Sequence, residues 1–435
     1  MQILPIRHPL SATVRVPGSK SLTNRALLIS ALASGTTRLT NALFSDDSCY
    51  FAKALQALGF DVQLDEVNQE MTVTGLGGNI PAGKVELFVG NAGTAARFLT
   101  AFLTLGNGEY ILDGDARMRE RPIRDLIDAL NQLGVELEAD NNCPPVEISG
   151  KGLPGGKTKI AGNISSQFLS ALLMVAPYAK SPVEIEVTTE LNSKPYVDMT
   201  LAVMKDFGVE VQRDAFRHFT VPITNYQLPP SNLQSLVSNP SLSIATYTIE
   251  PDASAASYYF SIPAICGGWV RVENISRTSK QGDIGFLDIL QEMGCTIKEG
   301  KDFIEVTGTD ALTGVDVDMR DIPDTAQTLA AVAPFASSPT RIRGIASARV
   351  KETDRVHATC TELARIGVPV EEHEDGMTIY PCDDIQPGMI QTYNDHRMAM
   401  AFALIGLRVD GIYIENPSCV SKTFPNYFEV LDTLR

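Results

Sequence analysis

Apolar and polar positions repeat along the chain in two interleaved registers. In the first, a short polar cluster opens an Ala-rich apolar run, and each such run predicts a buried helix. The openings are Ser19-Lys20-Ser21, Gly90-Asn91-Ala92-Gly93-Thr94, Ile164-Ser165-Ser166-Gln167, Asp252-Ala253-Ser254, Ile322-Pro323-Asp324 and Asn394-Asp395-His396-Arg397. The runs behind them include Ala26 to Ala33, Phe168 to Ala176 and Met398 to Leu407. In the second register, amphipathic stretches end in Leu58-Gly59-Phe60, Leu133-Gly134-Val135, Phe207-Gly208-Val209, Met293-Gly294-Cys295 and Ile366-Gly367-Val368. Each glycine stands where a helix C-cap takes a left-handed residue. A sixth stretch, Phe428 to Leu434, lacks the glycine. The glycines are about 75, 74, 86 and 73 residues apart, near one sixth of the chain. Six internal repeats follow, each with a helix pair and several strands.

Strand-like runs alternate with these helices at Val85 to Val89, Val183 to Val187, Trp269 to Val272 and Ile304 to Val306. The pattern is α/β. Three Ala-rich helices around an axis, wrapped by strands and outer amphipathic helices, satisfy both helix types. That predicts two similar domains, each of three repeated α/β units with parallel buried inner helices wrapped by sheets and outer helices. A ligand cleft is expected between the two. Pro222 to Ser243, rich in Pro, Ser and Asn, breaks the period and places the domain boundary near Ile244 to Glu250. The first strand, read as Thr13 to Val16, is compatible with either half.

Composition narrows the function. At 435 residues the chain can hold two cores, and 44% apolar with 20% charged residues is ordinary for a globular protein. The net charge of −16 disfavours a nucleic-acid binder. Seven dispersed cysteines without a CxxC suggest reduced thiols in a cytosol-like compartment. No stretch reads as a signal or transit peptide, and no apolar run is long enough to span a bilayer. With no Cys/His pairing at ligand spacing, no metal or other cofactor is expected. The reading is of a cytoplasmic protein without nucleic-acid or membrane partners.

Free N–H groups and the positive dipole end make helix openings good anion sites. Val16-Pro17-Gly18-Ser19-Lys20-Ser21 with Asn24-Arg25 joins a tight turn, hydroxyls and two cations, suited to phosphate or carboxylate; an ordinary Ser cap competes with that reading. The glycine run ending at Gly93-Thr94, with Arg97, lets backbone approach a small ligand closely. Arg117-Met118-Arg119-Glu120-Arg121-Pro122 supplies three guanidiniums, or else a solvated charge run. Arg349-Val350-Lys351-Glu352-Thr353-Asp354-Arg355 interleaves bases and acids, and on a helix Lys351 and Arg355 share a face. Asn394-Asp395-His396-Arg397 holds the one histidine in a functional context, and Ser421-Lys422-Thr423 repeats the Ser-Lys theme. With no nucleophile elbow or Cys–His pair, the expected chemistry is to bind two anions and move protons between them.

On these residues the chain resembles the 5-enolpyruvylshikimate-3-phosphate synthase family. The diagnostic stretches are Leu87 to Ala101 and Arg349 to Gly367, with PGSKS, ISSQF, SKPY, NDHRMAM and SKTFP. The resemblance covers nearly the whole chain and implies a two-domain fold in which the N-terminal strand returns to the C-terminal domain. The domains would be 1–18 with 248–435, and 19–247, with the active site in the cleft. It implies transfer of the enolpyruvyl group of phosphoenolpyruvate to the 5-hydroxyl of shikimate 3-phosphate through a tetrahedral intermediate, with loss of phosphate.

Carried over by motif, Lys20, Ser21, Arg25, Ser165, Ser166, Gln167, Ser193, Tyr196, Asp324 and Lys351 would hold shikimate 3-phosphate. Lys20, Gly93, Thr94, Arg121, Gln167, Arg355, Arg397 and Lys422 would hold phosphoenolpyruvate. Asp324 would take the 5-hydroxyl proton and Glu352 would protonate C3, supported by Lys20 and His396. A monomer inhibited by glyphosate is implied. Two departures stand out. Phe98 occupies a position where many members have Pro, with an expected effect on the Gly93 backbone. Ser347-Ala348 replaces an Asn-Trp pair found in some members, which predicts a weaker shikimate-phosphate contact. Residues 222–243 look longer than is usual for the family. The nearest rival, the transferase acting on a UDP-linked amino sugar, commonly carries a loop Cys that Arg117 to Pro122 lacks. RNA 3′-phosphate cyclase is disfavoured by charge. A catalytically dead anion-binding scaffold would be expected to have lost Asp324, Glu352 or Lys20, and all three are present.

Overall fold

The protein is described from a computed structural model covering residues 1–229 and 244–434. It forms two compact units, Gly18–Ile249 and Met1–Pro17 with Glu250–Arg435.

The unit Gly18–Ile249 is built on three inner helices, α1 (Lys20–Leu32), α3 (Gly93–Leu103) and α5 (Ser166–Val175), which pack on one another. Their small residues permit that approach, and α3 is buried over its whole length. The outer helices are α2 (Asp46–Ala57), α4 (Arg124–Gln132) and α6 (Lys194–Asp206). On α4 only Leu126, Ile127, Ala129 and Leu130 face inward. Burying each such Leu or Ile contributes roughly 1.5–3 kcal/mol. Gly59, Gly134 and Gly208 end these helices with φ of 93°, 85° and 81°, the left-handed conformation that only glycine adopts freely.

Each repeat adds a four-stranded sheet in which a parallel pair is extended by two antiparallel strands. Lys84–Phe88 runs parallel to Asn107–Asp113, followed by Val146–Lys151 and Glu136–Glu138. Gly156–Ile160 and Val183–Val187 are followed by His218–Val221 and Gln212–Asp214. In the remaining sheet the parallel partner of Ser34–Thr40 comes from the far end of the unit, Ile244–Thr248. The segment Ile244 to Glu250, expected as a linker, is therefore mostly strand. The Pro/Ser-rich stretch before it lies outside the described residues from 230 to 243.

The other unit repeats the plan. Its inner helices are α7 (Ala253–Cys266), α9 (Ala326–Val332) and α11 (His396–Gly406), again in mutual contact. Its outer helices are α8 (Phe286–Glu292), α10 (Arg355–Arg365) and α12 (Tyr427–Asp432). The first strand is Leu10–Val14, upstream of the expected Thr13 to Val16, and pairs parallel with Gly268–Glu273. Phe303–Thr307 and Thr296–Glu299 complete that sheet. Asp316–Asp318 and Thr340–Arg343 lead the next, and Gly388–Ile390 with Ile412–Ile414 form a two-stranded remnant. Among the described residues no helix is long and apolar enough to cross a membrane.

Candidate active site

In the unit Gly18–Ile249 the expected residues fall at the openings of α1, α3 and α5 and the start of α6. Ser19 caps α1 by accepting the Leu22 N–H at 3.4 Å. Lys20 follows, its Nζ 3.4 Å from Asp47 Oδ2 in the first turn of α2. Arg25, one turn further, is fully buried: Nε donates to Thr200 Oγ1 at 2.7 Å, Nη1 to the Ser21 carbonyl and Nη2 to the Tyr196 carbonyl. Burial lowers its pKa to about 10, which leaves it charged at neutral pH. Its guanidinium stands 5.3 Å from the centre of the Phe98 ring. Phe98 therefore acts on Arg25, a contact the sequence did not suggest.

At the opening of α3, Arg121 Nη1 donates to the carbonyl and the side-chain oxygen of Asn91, at 3.1 and 2.8 Å. A methyl group added at Gly93 would lie 2.5 Å from Arg121 Nη2, so this approach requires glycine. Arg97 bridges the two loops, donating to the Gly93 and Pro122 carbonyls. Of the three loop arginines only Arg121 is buried; Arg117 and Arg119 pair with Glu120 and Asp113. Ser165 caps α5 through the Gln167 N–H, and Gln167 Nε2 reaches Thr94 Oγ1 at 3.5 Å. Ser193 is nearly buried with φ 57° at the start of α6, three residues before Tyr196.

In the other unit a charge network centres on Arg355, which is 3% exposed. Its Nε donates to Asp395 Oδ2 at 2.7 Å, Nη1 to Asp324 Oδ1 at 3.1 Å and Nη2 to Glu352 Oε2 at 2.8 Å. Asp324 also meets Arg397 Nη2 at 2.8 Å and Lys351 Nζ at 3.6 Å, while Lys422 Nζ lies 3.5 Å from Glu352 Oε1. Four cations thus interlock with three carboxylates. Burial alone would weaken the Arg355 charge, but Asp395, Glu352 and Asp324 outweigh it and hold the guanidinium protonated above its usual range. Asp395 also caps α11 by accepting the Arg397 N–H.

Two expectations need correction here. Lys351 and Arg355 do not share a helical face, because Asp354 caps α10 by accepting the His357 N–H and the helix starts only at Arg355. Asp324 converges with both residues nonetheless. Second, the opening at Asp252 is closed by the chain itself: Gln281 Oε1 accepts the Ala253 N–H, Asp252 Oδ1 accepts the Ala255 N–H, and Ser254 bonds Asp283. Not all six openings are anion sites. Ser347 and Ala348 are buried in a short turn at Ala346–Val350. Sequence reasoning also left Asp47, Thr200 and Asp395 without roles.

His396 is fully buried, and neither ring nitrogen has a hydrogen-bond partner among the described residues. Burial first, then Arg397, drives its pKa well below the ordinary 6.5, against a smaller pull from Glu352. The unfolded chain gains a proton there as pH falls through 6.5 and the folded chain does not. The folded state therefore loses stability from this group by pH 5.5, on the order of 1 kcal/mol per pH unit below 6.5. In His396→Gln, denaturant titrations at pH 7.5 and 5.5 should show a smaller loss by that amount; an unchanged loss would mean that the ring is charged in the fold.

The chain matches the EPSP synthase (3-phosphoshikimate 1-carboxyvinyltransferase) family over residues 5–431. It is 49% identical to a 3-phosphoshikimate 1-carboxyvinyltransferase of Trichormus variabilis over 426 residues, 97% of this chain and 96% of that one. A protein of the same name from a Sulfurovum species is 46% identical over 434 residues, 99% of this chain and 98% of the relative. In fold, the chain is similar to a solved EPSP synthase from Acinetobacter baumannii, with TM-score 0.79, 24% identity and coverage of 100% and 97% of the two chains. With the family match spanning nearly all of its length and both charged groups in place at the helix openings, this chain belongs to the EPSP synthase family.

Proposed function

We infer that the protein transfers the enolpyruvyl group of phosphoenolpyruvate to the 5-hydroxyl of shikimate 3-phosphate, releasing inorganic phosphate. The observation that carries this reading is the network of Asp324, Glu352 and Asp395 with Lys351, Arg355, Arg397 and Lys422 in a member of this family. Both charged groups are proposed to serve one reaction. Lys20, Ser21, Arg25, Ser165, Ser166, Gln167, Ser193, Tyr196, Asp324 and Lys351 hold shikimate 3-phosphate. Lys20, Gly93, Thr94, Arg121, Gln167, Arg355, Arg397 and Lys422 hold phosphoenolpyruvate, whose phosphate and carboxylate suit guanidinium forks.

In the network Asp324 is counterion to three cations, Lys351, Arg355 and Arg397. When substrate anions take over Arg355 and Arg397, its carboxylate is freed to accept the 5-hydroxyl proton as that oxygen attacks C2. Glu352 delivers a proton to C3, which gives the tetrahedral intermediate. Reversal of the C3 protonation expels phosphate and leaves the enol ether. Lys20 stabilises charge near the transferred group, and the buried His396 ring supports proton transfer at Glu352 as a neutral neighbour that does not itself take the proton. The enzyme is proposed to act as a cytoplasmic monomer, with all seven cysteines unpaired in keeping with a reducing compartment.

Phosphate release should require both substrates and proceed without added metal or nucleotide. Release with UDP-N-acetylglucosamine in place of shikimate 3-phosphate would assign the chain to the rival transferase. Glyphosate should inhibit competitively with phosphoenolpyruvate; inhibition unaffected by phosphoenolpyruvate concentration would contradict that assignment. Gly93→Ala should push Arg121 aside and raise KM for phosphoenolpyruvate about ten-fold with little change in Tm. An unchanged KM would remove Arg121 from that site.

A further inference from the structure

The α11 opening that carries Asp395 and Arg397 is reached through Tyr393 and Asn394, with φ of 53° and 54°. Asn tolerates this left-handed region, but a Tyr gains nothing from it and must be held there by its surroundings. The holder is Glu362 on α10, a carboxylate with no exposed surface. Its Oε1 accepts the Tyr393 hydroxyl at 2.7 Å and its Oε2 accepts the Gln391 N–H at 3.0 Å. Arg365 donates to both oxygens from the solvent side, at 3.2 and 3.0 Å.

Glu362 lies seven residues beyond Arg355, two helical turns along the same face of α10. That face therefore grips the 391–395 segment twice, through Glu362 at its start and through Arg355 on Asp395 at its end. Within the segment the Asp395 N–H closes onto the Thr392 carbonyl at 2.8 Å, and Asn394 Oδ1 accepts from Asn416 Nδ2 at 2.8 Å, six residues before Lys422. A buried carboxylate gains little net stability from its pairing, so a second purpose is reasonable.

We propose that Glu362 is a positioning residue: through Tyr393 and the Gln391 amide it holds the left-handed turn that aims Arg397 and Asp395. The substrate consequence rests on the reading above that Arg397 and Arg355 hold phosphoenolpyruvate; the clamp itself does not.

Two variants test it. Tyr393→Phe keeps the half-exposed ring and deletes one donated hydrogen bond, and Glu362→Gln keeps the size and removes the charge. Steady-state kinetics with each substrate varied should show KM for phosphoenolpyruvate raised about three- to ten-fold in both, with KM for shikimate 3-phosphate near wild type. Hydrogen exchange should show faster exchange at the amides of residues 391–397 in Tyr393→Phe, at unchanged Tm. Wild-type exchange in Tyr393→Phe would overturn the clamp, as would a lowered Tm with an unaltered KM for phosphoenolpyruvate. If the wild-type protein itself releases no phosphate from the two substrates, the functional reading fails and the exchange rates alone decide the clamp. If Glu362→Gln does not fold, Tyr393→Phe decides.

Discussion

Arg355→Met is expected to lower kcat/KM by about 10³-fold or more and to destabilise the fold by about 3–5 kcal/mol. The Arg355 guanidinium contacts three carboxylates at once, Asp324, Glu352 and Asp395. Asp395 has no exposed surface and would be left buried without its main cation, which is the costly way to break an ion pair. Because Asp395 also caps α11, the loss would spread to the Arg397 N–H it accepts. Lysine is not a substitute: Arg355→Lys keeps the charge but one ammonium cannot reproduce a fork that reaches Asp324, Glu352 and Asp395 from three nitrogens. Urea unfolding together with kinetics reads both effects. Full activity in either variant would remove Arg355 from the site.

Asp324→Asn is expected to behave differently. The kcat should fall about 10²- to 10⁴-fold, the range of a lost general base, while the fold stays intact. Asp324 is partly exposed, so its neutral isostere costs little in stability. It pairs with Lys351, Arg355 and Arg397, the cations that substrate anions are proposed to take. Removing that competitor should leave KM for phosphoenolpyruvate unchanged or lowered. A raised KM with an intact kcat would mean that Asp324 organises the binding cations and moves no proton. Steady-state kinetics with phosphoenolpyruvate varied separates the two.

What the sequence made legible was local and periodic. The repeat of α1, α3, α5, α7, α9 and α11 follows from Ala-rich runs behind polar openings, and five of the six outer helices end at glycines because a left-handed cap is a one-residue requirement. The start of α10 was legible but misread. Asp354 ahead of Arg355-Val356 is an N-cap signal, and heeding it would have taken Lys351 off the helix. Ile244-Ala245-Thr246-Tyr247-Thr248 alternates like a strand but sits beside a Pro/Ser-rich stretch that reads as a linker.

Partnerships across the chain left no local trace. Arg25 and Thr200 are 175 residues apart, and nothing in either neighbourhood announces the other. Asp47 looks like an ordinary acidic residue in the first turn of a helix until the fold brings Lys20 to it. Likewise the choice of Arg121 over Arg117 and Arg119 as the inward guanidinium depends on the short turn at Met118–Glu120.

The most direct test of the central claim is the identity of the product. Proton NMR of a mixture of the protein, shikimate 3-phosphate and phosphoenolpyruvate should show vinyl protons of an enol ether on the 5-oxygen, formed in step with inorganic phosphate. Phosphoenolpyruvate left intact, or converted to pyruvate and phosphate with no ether formed, would contradict the account.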